Sequence, residues 1–161
     1  VSQDETIVFR KYERGDLDAI VKLDAACFAP TFRFNKAAMR RLVEAEKAWA
    51  LVAEVRGEIA GFCIVDLEKF PGGTVGYLVT IDVAEDFRRK SMGERMLAEG
   101  EAWVQTVGGA GMLLHVYVEN DGAIRFYERA GYERTAEKPG FYGRGVDAAM
   151  YWKRLPCNGS E

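Results

Sequence analysis

Histidine is nearly missing from this chain, and cysteine is scarce. His115 is the sole histidine, and the three cysteines, Cys27, Cys63 and Cys157, lie far apart with no Cys-x-x-Cys spacing. An odd, scattered set of thiols supports neither a disulfide framework nor a zinc site, and one imidazole cannot build a histidine-based metal centre. No metal is expected. The chain also lacks an apolar run long enough to cross a bilayer, and its polar start, "VSQDETIVFR", does not read as a signal peptide. Nor is there a strong excess of one charge: the formal net charge is −3. A broad nucleic-acid footprint or an anionic-membrane surface is therefore not expected. These absences together predict reduced thiols, a cytoplasmic location, and no nucleic-acid or membrane partner.

What is present fits an ordinary globular domain. The 161 residues are 48% hydrophobic and 29% charged, and a chain of this size buries roughly 70% of its unfolded surface without covalent staples. The pattern alternates between strand and helix periods. Residues 6–12 read as a strand and 15–28 as a helix, with Leu17, Ile20, Val21, Asp24 and Phe28 on one stripe. An aromatic, Pro-containing connector over 29–34 leads to a second helix over 35–46 with Asn35 as its cap. Residues 48–68 form two strands joined at Arg56-Gly57-Glu58, and a third follows over 74–83. A helix runs to about Gln105 and is broken by Gly108–Gly111. A strand (112–118), a helix (120–130, ended by Gly131) and a last strand (146–155) complete the chain. This order predicts an α/β fold, a mixed sheet with helices on both faces, as one domain over 1–155 with a tail over 156–161.

Charge is gathered at one place. The stretch "FRRKSMGERML" (87–97) sets Arg88, Arg89 and Lys90 at the end of a strand and the start of a helix, with Gly93 leaving the backbone bare. Unpaired N–H groups and the positive end of the helix dipole favour an anion there, and Arg95 is placed to add charge. A solvated turn is the alternative.

This stretch resembles the acyl-CoA-binding segment of the GNAT family of N-acetyltransferases, written Arg/Gln-x-x-Gly-x-Gly/Ala, and stands here as Arg88-x-x-Ser91-x-Gly93. Ser91 departs from the pattern; if the loop requires positive φ there, a serine is strained and diphosphate affinity falls. A second segment, "NDGAIRFYERAGYERT" (120–135), is similar to the family's later motif, with Asn120, Ala123, Ile124, Tyr127, Gly131 and Tyr132 in place.

The resemblance implies a bent sheet whose central parallel strands, 74–83 and 112–118, splay into a V. It implies acetyl-CoA as co-substrate, held by the backbone of Ile81, Asp82 and Val83, by the loop Arg88, Arg89, Lys90, Ser91, Met92, Gly93 and Glu94, and by Asn120, Ala123 and Tyr127. Tyr127 would be the acid for the leaving sulfur; the other reading makes it a core aromatic. Tyr77 and His115 match positions where protein N-terminal acetyltransferases of the family carry a base acting through water. Phe28, Pro30, Phe32 and Phe34 would line one wall of the acceptor groove. The ending "GFYGRGVDAAM" is similar to that of N-terminal and ribosomal-protein-alanine acetyltransferases, with Tyr142, Gly145, Asp147, Ala148 and Met150 matching and Val146 at an acidic position. Its loop, with Phe141 and Tyr142, would form the opposite wall. The implied acceptor is a protein or peptide N-terminus. A small amine (polyamine, amino acid or antibiotic) and a non-catalytic acyl-CoA sensor are the alternatives, and the chain would act as a monomer or homodimer.

Overall fold

A computed structural model describes residues 6–156. The expectations for Cys157 and the end of the tail lie outside the described residues. The elements follow the order β1 (Ile7–Lys11), α1 (Leu17–Cys27), α2 (Lys36–Val43), β2 (Trp49–Val55), β3 (Glu58–Phe70), β4 (Gly73–Val83), α3 (Met92–Thr106), β5 (Gly111–Tyr117), α4 (Asp121–Arg129), β6 (Glu133–Gly143) and β7 (Val146–Arg154). The strands form a seven-stranded mixed sheet ordered β1-β2-β3-β4-β5-β7-β6, with β4 and β5 parallel. Among the described residues no helix is long and apolar enough to cross a membrane. The chain divides into two compact units, the first up to Val65 with Val79–Gly100, the second Asp66–Leu78 with Glu101 onward.

In the first unit, apolar residues of α1 and α2 meet β2 and β3. Ile20, Met39, Val52, Phe62 and Ile64 are each at most 1% exposed, and each such burial contributes about 1.5–3 kcal/mol relative to exposure. Local chemistry sets the helix starts. A short 3-10 turn, Arg14–Asp16, precedes α1, and Arg10 holds Asp16 through two 2.8 Å bonds. Asn35 caps α2 as expected, its side chain accepting from the Ala38 N–H at 2.8 Å. That helix ends at Val43, three residues short of its expected end.

In the second unit, β7 pairs antiparallel with β5, from Gly111↔Arg154 to Tyr117↔Ala148. Gly111 permits this approach: a Cβ there would lie 2.5 Å from the Lys153 carbonyl oxygen. Glu101 accepts from Lys153 Nζ (3.0 Å) and the Tyr132 hydroxyl (2.8 Å), fixing α3 to β7. Registered β4–β5 pairs are Gly76↔Met112 and Tyr77↔Leu113.

β6 corrects the sequence reading. The segment carrying Phe141 and Tyr142, expected as a loop, is the outer strand of a β6–β7 hairpin. Its residues are nearly all exposed and it contains Pro139, so neither apolar alternation nor composition marks it as a strand. An edge strand needs neither, because its outer face and outer edge meet water.

Candidate active site

The first unit carries the cationic loop. After β4, a 3-10 turn over Glu85–Phe87 leads into turns at 88–91 and then α3. Arg88, Arg89, Lys90 and Ser91 are exposed, whereas Met92 is buried and its sulfur sits where a Cβ on Gly61 would go. Arg88 Nε folds back to donate to the Val83 carbonyl at 3.1 Å, and the Cys27 thiol donates to the same oxygen at 3.4 Å. Lys90 lies over the Phe87 ring, 5.5 Å from its centroid. Arg95, expected beside the anion, instead stacks its guanidinium over Phe9 of β1 at 4.7 Å. That partner lies far away in sequence, which local spacing does not reveal.

Ser91 has φ +62 and Arg89 φ +65, both in the left-handed region. For a side chain with a Cβ this conformation costs roughly 1–2 kcal/mol. Replacing Ser91 by glycine is therefore expected to raise stability by up to about 1 kcal/mol, part of the gain being offset by the greater freedom of glycine in the unfolded chain. Acetyl-CoA should bind several-fold more tightly to Ser91→Gly, as read by denaturant melts and titration calorimetry. An unchanged dissociation constant would show that the serine hydroxyl compensates for the strain.

The connector after α1 also belongs to the first unit. Phe28 caps α1, and its carbonyl accepts from Arg33 Nε at 2.7 Å. Pro30–Phe32 form one 3-10 turn. Pro30 is exposed, Phe28 and Phe32 half-buried. Phe34 differs from its neighbours: it packs against the core cluster, and its N–H donates to Asp24 Oδ2 at 2.9 Å.

The second unit holds the titratable pair. The Tyr77 hydroxyl, on β4, lies 2.8 Å from His115 Nδ1, on β5. His115 shares the half-buried face of β5 with Leu113 and Tyr117, while Met112, Leu114 and Val116 face inward. Phe141 of β6 stacks on the imidazole with ring centroids 4.2 Å apart and planes 13° from parallel, and Tyr142 meets Phe141 edge-on. Burial, then the Lys138 charge, lowers the His115 pKa below 6.5. Burial, with Tyr142 and Glu68 nearby, raises that of Tyr77, and burial pushes Tyr142 up to about 12. At neutral pH the cluster is thus a neutral imidazole bonded to a protonated phenol. Phe141 was expected in the acceptor wall but not against His115, and Lys138 was not singled out; the adjacent aromatics Phe141-Tyr142 were the available signal.

Tyr127, on α4, is 8% exposed and lies edge-on between Phe126 (5.2 Å) and Tyr132 (5.9 Å). Asn120 caps that helix, accepting from the Ala123 N–H at 3.2 Å, and Gly131 with φ +96 follows its end. Among the described residues no group of three or more His, Cys, Asp or Glu side chains could hold a metal.

Residues 17–132 match the model of the acetyltransferase (GNAT) family. N-alpha-acetyltransferase 60 of Xenopus tropicalis is 25% identical over 91% of this chain and 68% of its own length. The fold is similar to that of NAA60 from Arabidopsis thaliana in complex with a bisubstrate analogue (TM-score 0.82, 22% identity, 96% of this chain and 100% of that one). It is also similar to the ribosomal-protein-S18-alanine N-acetyltransferase of Escherichia coli (TM-score 0.80, 20% identity, 97% and 99%). The chain belongs to the acetyltransferase (GNAT) family and is an N-acetyltransferase whose co-substrate is acetyl-CoA.

Proposed function

We propose that the acceptor is the N-terminal α-amine of a protein or peptide, which attacks the acetyl-CoA thioester directly. The observation that carries this reading is the 2.8 Å bond between the Tyr77 hydroxyl and His115 Nδ1. The phenol keeps its proton and donates, which leaves His115 as the Nε2–H tautomer with Nδ1 as the basic atom. An amine proton delivered to the Tyr77 oxygen, directly or through water, then passes on as the phenol's own proton moves to Nδ1. A base of this strength suits an α-amine. With a pKa of about 7.7–8.0, such an amine is already tens of per cent neutral near pH 7.5, whereas a lysine near 10.4 is only about 0.1% neutral.

In the reaction the amine nitrogen bonds the acetyl carbon, the oxyanion forms and collapses, and the C–S bond breaks. The nitrogen's proton leaves through Tyr77 to His115, and Tyr127 gives its proton to the departing thiolate, so charge balances over the cycle. The backbone of Ile81, Asp82 and Val83 holds the pantetheine arm and supplies the oxyanion donor. Loop residues 88–94 hold the diphosphate, with Asn120 and Ala123 also on the donor. Phe28, Pro30, Phe32, Phe34 and Tyr142 contact the acceptor. The name of the Xenopus relative, an N-alpha-acetyltransferase, supports the choice of amine.

The test is thiol release from acetyl-CoA with short peptides bearing free N-termini, the same peptides N-blocked but carrying lysine, and several polyamines. Turnover confined to free N-termini is expected. Turnover on polyamines alone would replace this reading with a small-amine acceptor. Tight acetyl-CoA binding without turnover would make the protein a sensor.

A further inference from the structure

Two acids of the first unit are buried. Asp24 of α1 is fully buried and Asp82 of β4 is 1% exposed. Asp24 Oδ2 accepts the Phe34 N–H at 2.9 Å, and Thr80 Oγ1 donates to Asp82 Oδ1 at 2.5 Å. Cys27, one turn after Asp24, donates to the carbonyl of Val83, next to Asp82, so the end of α1 lies against the end of β4. The other oxygen of each, Asp24 Oδ1 and Asp82 Oδ2, is buried with no hydrogen-bond partner. Carboxylate oxygens only accept, so these two orphan oxygens can satisfy each other only with a proton between them. Two ionised carboxylates in this space would repel while both were stripped of water.

The surroundings do not supply a second cation. The titratable groups facing Asp82 are Asp24 and Cys27 from α1, Cys63 from β3 and the single guanidinium of Arg88 from the loop. Both thiols are pushed up by burial and by the nearby Asp82 charge, so they stay neutral. Burial first, then Asp24, raises the Asp82 pKa well above the usual carboxylate range.

We propose that Asp24 and Asp82 share one proton and act as a positioning pair, tying the 28–34 connector, through the Phe34 amide, to the Ile81–Val83 segment of β4. The role rests on the function proposed above, in which the connector meets the acceptor and the β4 segment meets the thioester. The pair would thus set the acceptor wall against the strand that presents the acetyl group, with neither carboxyl touching a substrate. Nothing in the family motifs marks it. Asp24 looks like an interruption of an apolar stripe, and Asp82 like one polar residue of "TIDV".

The sign of the pH effect follows from linkage. A carboxyl whose folded pKa is raised contributes stability that is full below its unfolded value, about 3.9, and is lost as pH rises through the folded value. Within that window one extra proton held by the folded state changes the unfolding constant about tenfold per pH unit. An asparagine at either position supplies the bridging hydrogen permanently. Asp82→Asn, which removes the raised group, and Asp24→Asn, which removes a cause of its shift, are therefore expected to take away about one proton's worth of the fall in stability that sets in as pH rises above about 3.9, relative to the parent protein. Asp24→Ala is expected to speed amide exchange at 28–34 about tenfold, and to raise the peptide KM about tenfold with the acetyl-CoA dissociation constant within twofold of the parent. Asp24→Asn should reverse both effects.

Unchanged slopes in both asparagine variants would overturn the shared proton. Unmoved exchange at 28–34, or faster exchange with KM unmoved, would overturn the positioning role. If alanine prevents folding, the asparagine slopes decide. If the parent protein acetylates no peptide, the proposed acceptor fails, while slope and exchange still decide the pair.

Discussion

His115→Ala is expected to lower kcat/KM for a free-amine peptide by about 10²-fold or more, the usual contribution of a positioned general base. Tyr77→Phe, which keeps the ring and removes the hydroxyl, should cost about as much, because the proton reaches Nδ1 only through that oxygen. The double variant should fall little further than either single one, since the two residues act as a unit. If His115 were only a packed ring, alanine would lower stability while Tyr77→Phe left kcat intact.

The pH profile gives an independent reading. In the proposed role His115 acts as a base only when neutral, so kcat should rise with pH through its pKa and be full above it. That pKa lies below 6.5, lowered by burial and then by the Lys138 charge. The acid limb of kcat, which reports groups in the bound complex, is therefore expected below pH 6.5 and should vanish in His115→Ala. In kcat/KM a second limb near 7.7–8.0 should appear from the free α-amine of the peptide. Measuring both parameters from pH 5 to 9 separates the enzyme's base from the substrate's ionisation.

The nearness of Tyr77 to His115 was readable through the family resemblance. "YLVTIDV" and "LLHVYV" read as strands, and the resemblance makes them the parallel central pair. Parallel neighbours then bring the two side chains together, and the register Tyr77↔Leu113 sets His115 one pleat along. Ser91 was readable for a similar reason: a serine where a glycine belongs marks a turn with φ > 0, and φ is +62. What the sequence hid depends on contacts between distant segments. Phe141 reaches His115 only because β6 folds onto β7, and β6 has no apolar alternation by which to be recognised. Arg95 sits within the cationic motif but is taken by Phe9. Asp24 lies on the otherwise apolar stripe of α1, and nothing in the sequence tells what it meets there until α1 and β4 are placed. Periodicity gives the elements, motifs give the site's backbone, and the partners of buried charges appear only with the tertiary packing.

Tyr127→Phe is expected to lower kcat by about 10²-fold, the low end for a positioned general acid. The acetyl-CoA dissociation constant should stay within a few-fold of its original value. The substitution is conservative for packing. Tyr127 is 8% exposed and holds its place through ring contacts with Phe126 and Tyr132, which phenylalanine preserves. In the proposed role, what it removes is the proton for the sulfur. A thiol with a pKa of about 8.5 leaves a tetrahedral intermediate as thiolate, and neutralising it as the C–S bond breaks stops the intermediate from reverting to bound amine. The deficit should therefore depend on the leaving group. With an acetyl thioester whose thiol is several units more acidic, the variant and the parent protein should converge, because that thiolate leaves without help. A kcat equal to that of the parent protein with acetyl-CoA itself would make Tyr127 a core aromatic and pass the protonation of the sulfur to another group or to water.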